Sequence, residues 1–597
     1  GPFGAGRQLS PIPGNLPGDV NDVGNWAARG QIRFQPPDTE MDWIFNAHGS
    51  RLDQYSTLGQ AVGTVEVPGI PGFVSSPDDY FGGHVASSPA YRDPDIVAIE
   101  NYWIARGLTG ETLEDKVGRE VARNLDGEPF KGDYNRVGDT WLDTWGGFAR
   151  GDWLLGDVEL TSITAYDAYT RSRDQDQDFT PEILFEGVQD DEAWQASQEI
   201  KAAGELPDTP LRWNTGFFYL TEQLDSSTDQ LARVPNAVNR PGRLFLDYSQ
   251  NLWSWGAFAG FGWDFLDDFT LDGGFRYNWE KKNFDYRLTS AEVTSVSLIE
   301  DDATWQAPTG TLKLIYRFRE DTNVWWKYSR GWKGGHFNAL PQTTLGATQA
   351  EPETIDAFEM GVEGSWIDGR LGMKTNLFYY KYQDYQVLVV QDSAAGPPGI
   401  AIINANDAEV YGAELESRIE PIDGLVITGN MSWLESQFLD FTNDVVRTVF
   451  GTNNEPTPRI ITVDYTGNQL INSPNLKASA AVEYTFDMGR YGAIIPRYDF
   501  AWTDDIFFDP TEGRGSPGFS NELILPDYGT GQRAYYVHNA RIAFRTAEGN
   551  IEIAGWVRNF LDQEYKQYAF DATSFSKVVI NYIGEPRTYG GEIQINF

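Results

Sequence analysis

The chain of 597 residues contains no cysteine, which excludes a disulfide framework, thiolate metal sites and a thiol nucleophile. Its four histidines, His48, His84, His336 and His538, lie too far apart to read as a zinc motif. No stretch approaches about 18 consecutive apolar residues, so no transmembrane helix is expected. Positive charge is scarce: 46 Lys and Arg stand against 87 Asp and Glu. A formal charge of −41 is the wrong sign for a nucleic-acid partner, whose phosphates need a basic footprint. A starting Met and a signal peptide are also missing, so the sequence reads as a mature or trimmed chain. There is no G-x-S-x-G element, and abundant carboxylates are not a positioned acid/base pair. Neither an enzyme nor a cofactor is expected.

Aromatic residues are plentiful, with 20 Trp, 29 Tyr and 35 Phe, and 61 residues are glycine. With 41% hydrophobic residues, the chain has enough apolar surface to argue against disorder despite its charge. One membrane class survives: the transmembrane β-barrel, whose strands alternate too strictly to register as apolar runs.

Alternation with period two recurs from about residue 25 to the end. At the C-terminus Tyr589, Gly591, Ile593, Ile595 and Phe597 take one face, and Glu592, Gln594 and Asn596 the other. Apolar toward lipid and polar toward a wet lumen is the expected reading. The pattern gives about 19 strands, the first at 25–36 and the last two at 550–568 and 578–597. Every odd strand is followed by a short turn, such as Gly156-Asp157, Asp368-Gly369, Asp423-Gly424 or Glu548-Gly549. Even strands are mostly followed by long polar loops, among them 55–138, 173–192, 225–243, 336–352, 439–472 and 508–533. That asymmetry predicts an all-β transmembrane antiparallel barrel with short periplasmic turns and long extracellular loops. Residues 1–24 then form an extracellular loop segment and 25–597 the barrel. In the first long loop, Leu113, Val117, Val121 and Leu125 predict a short amphipathic helix near 111–125.

Several segments resemble TonB-dependent outer-membrane receptors. Tyr328-Ser329-Arg330-Gly331-Trp332-Lys333-Gly334-Gly335-His336-Phe337-Asn338 is similar to a strand-to-loop motif of that family. It is followed by Glu351-Pro352-Glu353, Phe358-Glu359-Met360-Gly361 and Val410-Tyr411-Gly412-Ala413-Glu414-Leu415-Glu416. Val557-Arg558-Asn559-Phe560-Leu561-Asp562 and Gly584-Glu585-Pro586-Arg587-Thr588-Tyr589-Gly590 complete the series. Each is short, but their order and spacing cover nearly the whole chain. The resemblance implies an outer-membrane protein of a Gram-negative bacterium, set in lipid and lipopolysaccharide, that imports a scarce nutrient with energy from TonB. A ferric siderophore is the default substrate. It also implies a barrel of about 22 strands, so the first three strands and an N-terminal plug are expected on a preceding segment or a separate chain. The rival reading is a structural or docking barrel in an assembly with other outer-membrane proteins.

Trp332, Lys333, His336 and Asn338 sit where a strand leaves the membrane, and are the candidate ligand contacts. Trp332 could stack on a ligand and Lys333 attract an anionic one; the competing reading is an interface anchor and a shaped loop. Asp174, Asp176 and Asp178 could offer hard oxygen ligands to Ca²⁺. They lack an EF-hand register, and a solvated acidic loop is the preferred reading.

Overall fold

In the computed structural model the described residues are 23–57, 136–177, 185–233, 241–290, 296–339, 348–391, 399–450, 456–515, 527–572 and 579–596, together with a few isolated positions and short stretches in the remaining loops. Nineteen strands build the wall. They are β1 (Asn25–Phe34), β2 (Met41–Tyr55), β3 (Asp139–Leu155), β4 (Val158–Asp176), β5 (Phe185–Glu205) and β6 (Leu211–Arg233). Next come β7 (Pro241–Leu266), β8 (Phe269–Ser290), β9 (Val296–Arg319), β10 (Thr322–Lys333), β11 (Glu353–Trp366), β12 (Leu371–Gln391) and β13 (Gly399–Ile419). The last six are β14 (Leu425–Asp440), β15 (Leu476–Tyr484), β16 (Ala493–Thr503), β17 (Tyr535–Arg545), β18 (Ile551–Arg558) and β19 (Thr588–Ile595). Each pairs antiparallel with its neighbour in sequence, and the sheet curls into a barrel. No ladder among the described residues joins β1 to β19, so a seam lies between them. Both end strands run from the long-loop rim to the short-turn rim, parallel to one another.

Local chemistry explains the short-turn rim. The turn between β11 and β12 puts Asp368 at φ 55° and Gly369 at φ 85°, a backbone that Gly adopts freely and Asp tolerates. The expected faces hold as well. Phe275, Leu312, Leu377 and Ile542 are exposed on the outside. On the inside, Arg541 pairs with Glu552 and Glu592, at 2.7 and 3.1 Å, and Lys327 pairs with Glu359 at 2.9 Å. Outer aromatics touch from strand to strand: Trp145 on Tyr166, Tyr166 on Trp194, and Phe217 on Trp255 on Trp279. Such a belt suits the membrane–water interface, where a ring is apolar and its edge polar.

Crossing a membrane takes about 9–11 residues of tilted strand, yet β7 has 26 residues and β8 has 22. The wall therefore continues well past the lipid on the long-loop side. There its inner face closes into packed clusters. Leu246, Phe284, Tyr286, Trp305 and Phe337 form one; Val387, Val389, Ala405, Ala408, Phe438, Phe441, Tyr465 and Leu470 form another.

Several expectations change. The segments 173–192 and 225–243 are mostly strand, because β4 reaches Asp176, β5 starts at Phe185, β6 reaches Arg233 and β7 starts at Pro241. The loop expected at 439–472 holds a hairpin of Thr442–Phe450 with Pro456–Asp464. The penultimate strand ends at Arg558, and Lys566–Asp571 is a separate strand. Val579–Ile583 is not part of β19: it pairs with Lys566–Asp571 and with Gln60–Val62 in a small three-stranded sheet among the loops. This sheet clasps the loop after β2 to the loop before β19, from either side of the seam. Ala61, Tyr134, Phe179, Ala572 and Ile580 are buried beneath it. The helix expected at 111–125 falls outside the described residues.

Candidate extracellular mouth

The segment after β10 is held by its own side chains. Phe337 is buried and stacks on Phe284 at 5.3 Å, and Trp332 packs against the same cluster. Asn338 is also buried, and its amide spans two chain segments. Its Nδ2 donates to the Ile402 carbonyl at 2.9 Å and its Oδ1 accepts from the Ile402 N–H at 2.8 Å. Lys282 donates to the Gly335 carbonyl at 2.8 Å, and Gln386 donates to the carbonyls of Gly334 and Glu351 at 2.9 Å each. Asn338 and Trp332 are thus committed to fixing the loop.

The other two candidates keep free side chains. Lys333 is exposed, and no described residue bonds its amine. His336 is half-buried; burial, with Lys282 and Lys333 nearby, holds its imidazole below the usual value, so it is neutral at pH 7. A neutral imidazole beside an exposed ammonium offers one coordinating or accepting nitrogen and one positive charge to a solute in the mouth.

The three aspartates do not gather. Asp174 is taken by Arg136, whose guanidinium lies 2.6 Å from it and also reaches Glu186 at 3.2 Å. Asp176 is buried and caps a turn by accepting the Phe179 N–H at 2.9 Å. Asp178 lies outside the described residues. No group of three or more potential metal-ligating residues converges among the described residues.

Two features of the mouth escaped sequence reasoning. One is a charged pair in the upper wall, where Arg171 Nε donates to a nearly inaccessible Asp191 at 2.8 Å. The acid-rich run around Asp191 looked like a solvated loop because nothing in it showed an apolar face. The other is a pocket of about 210 Å³ where the upper ends of β12 and β13 meet three loop segments, lined by Leu388, Ile400, Ile471, Phe508, Asp509, Tyr568 and Asp571, among others. Those residues are scattered over some 180 positions, and no local pattern announces their meeting.

Comparison with known proteins agrees with this architecture. The family described as "TonB dependent receptor-like, beta-barrel" matches residues 100–560. Pesticin receptors of Yersinia enterocolitica and Yersinia pestis are 24% identical over 344 residues, 57% of this chain and 43% of theirs. The chain thus spans less than half the length of these curated relatives. The ferric yersiniabactin uptake receptor FyuA of Yersinia pestis superposes with a TM-score of 0.70 at 17% identity, over 99% of this chain and 73% of that one. The siderophore receptor PiuA of Acinetobacter baumannii gives 0.62 at 12% identity, over 96% and 74%. With the family matched over most of its length and the wall built as such barrels are, the chain belongs to the TonB-dependent receptors of the Gram-negative outer membrane.

Proposed function

We propose that the protein takes up a ferric siderophore through the outer membrane, with energy delivered by TonB. The family match over residues 100–560 carries this reading. Structural neighbours named as a ferric yersiniabactin uptake receptor and as a siderophore receptor support the substrate class. So does the architecture, a polar charged lumen below a walled, loop-lined mouth. Lys333 and His336 are the proposed ligand contacts, with Trp332 and Asn338 holding them in place. Lipid and lipopolysaccharide surround the aromatic belt.

The seam belongs to the same proposal. Further strands, with a plug that bears the TonB-binding segment, complete the wall between β1 and β19. Two parallel end strands can be bridged antiparallel only by an odd number of strands, and three would bring nineteen to about 22. Unpaired edges in lipid would cost several kcal/mol per backbone group, which supports a partner along both.

The test is uptake of radioactive iron, offered as ferric siderophores to iron-starved cells. Deleting the gene should abolish uptake of one complex, and restoring it without functional TonB should not rescue it. Uptake that survives loss of either would sink the proposal. Topology is checked separately, using the absence of cysteine. In intact cells a membrane-impermeant maleimide should label Lys333→Cys and spare Asp368→Cys; the opposite result would invert the barrel.

A further inference from the structure

The pocket at the upper ends of β12 and β13 holds a carboxylate of unusual setting. Asp509 is half-buried and faces the neighbouring carboxylate of Asp571; burial of the carboxyl and that like charge push it above the ordinary range. Its oxygens accept the Thr511 N–H at 2.8 Å and the hydroxyls of Thr511 and Thr530. That uses three of about four acceptor sites on a carboxylate. No cation among the described residues bonds it. The half-buried Lys566, on the strand that also carries Tyr568, donates instead to the Tyr528 and Gly529 carbonyls at 2.8 and 3.0 Å. Burial, with no acid to offset it, lowers that amine to about 8. An amine and two acids therefore share one cap of loops without Lys566 compensating Asp509.

A carboxylate withdrawn from bulk water is stabilised by hydrogen bonds or an ion. Here the hydrogen bonds come from one side, and the other side opens on a cavity of about 210 Å³. Its remaining walls are apolar and aromatic: Leu388, Ile400, Ile471 and Phe508, with Tyr568 beside the acid. We propose that this pocket is a subsite for a small ammonium-bearing group, its charge set against Asp509 and its carbon body against Leu388, Ile400 and Phe508. An ammonium supplies a donor for the remaining acceptor site of Asp509, and the apolar wall favours an amine on an alkyl or aryl stem over a bare ion. The inference rests on the import reading only for placing the pocket in a ligand-facing mouth, where it would receive an amine-bearing arm of the cargo.

The test uses the purified full chain at near-physiological salt, with two fluorinated probes followed by ¹⁹F NMR. 4-Fluorobenzylamine carries the ammonium, and 4-fluorobenzyl alcohol is its neutral counterpart. The amine should bind at least tenfold more tightly than the alcohol. Asp509→Asn should remove that preference while leaving the alcohol unchanged, and Ile400→Trp, which fills the cavity, should weaken both probes. Near-UV circular dichroism verifies that each variant is folded. Equal binding of the two probes, or an amine preference that survives Asp509→Asn or Ile400→Trp, would overturn the assignment. So would a site that takes Ca²⁺ in an Asp509-dependent way and ignores the amine. None of these outcomes depends on iron uptake, so the subsite can fail while the import reading stands, and the reverse.

Discussion

Leu377→Arg is expected to remove most of the assembled protein from the outer membrane. Leu377 lies between Met360 and Ala413 in the ladders, with Trp433 beyond, and three of these four side chains are large and exposed on the outer face. An arginine near the middle of the lipid costs about 2–4 kcal/mol, equivalent to roughly 30- to 700-fold in the folding equilibrium. The neighbouring change Asn376→Arg should be tolerated, because that side chain faces the lumen and already donates to Glu414. Heat-modifiable mobility on gels separates folded barrel from unfolded chain. Similar losses at both positions would mean that the faces are assigned one residue out of register.

The second large effect is expected high on the wall, at Arg171→Met. The Asp191 side chain is only 1% accessible, so removing the guanidinium strands a carboxylate that cannot reach bulk water. Breaking a buried pair from one side costs about 3–5 kcal/mol. The lower end applies here, because Arg171 is itself about a third exposed and Gln189 still donates to Asp191. The urea midpoint, followed by tryptophan fluorescence, should fall clearly. Arg171→Met combined with Asp191→Leu should recover much of the loss, since the stranded charge is gone. A single variant as stable as the parent would show that water reaches Asp191 after all.

The wall was legible because its code is local. Alternation fixed the inner and outer faces, and Asp368-Gly369 or Glu548-Gly549 announced reversals that each need only two or three residues. What stayed hidden depends on distant partners. Gln189, Asp190, Asp191 and Glu192 have no apolar face, so the upper end of β5 read as loop; a strand standing above the lipid with water outside it has no need of one. Val579–Ile583 shows the converse. Its apolar residues and its place before β19 imitate a membrane strand, and only the pairing with Gln60–Val62 reveals another use. Asn338 was picked out as a ligand contact for its position after β10. Its amide is spent on Ile402, whose approach no sequence spacing indicates. Asp509 was passed over because acids are common in this chain and only its place in the pocket distinguishes it.

The clasp between Gln60–Val62 and Val579–Asn581 sets an order on folding. All the wall ladders join strands that follow one another, so the wall can zip from hairpin to hairpin with short closures. Ala61 and Ile580, which pair directly in the clasp, stand near opposite ends of the chain. Closing so long a loop in an unfolded chain is entropically costly, and contacts between distant residues form slowly. Once the wall has curled, the same two segments are already neighbours and that cost has been met strand by strand. The clasp is thus a late event that signals completion, and proximity of Ala61 to Ile580 distinguishes a finished mouth from a partly zipped sheet.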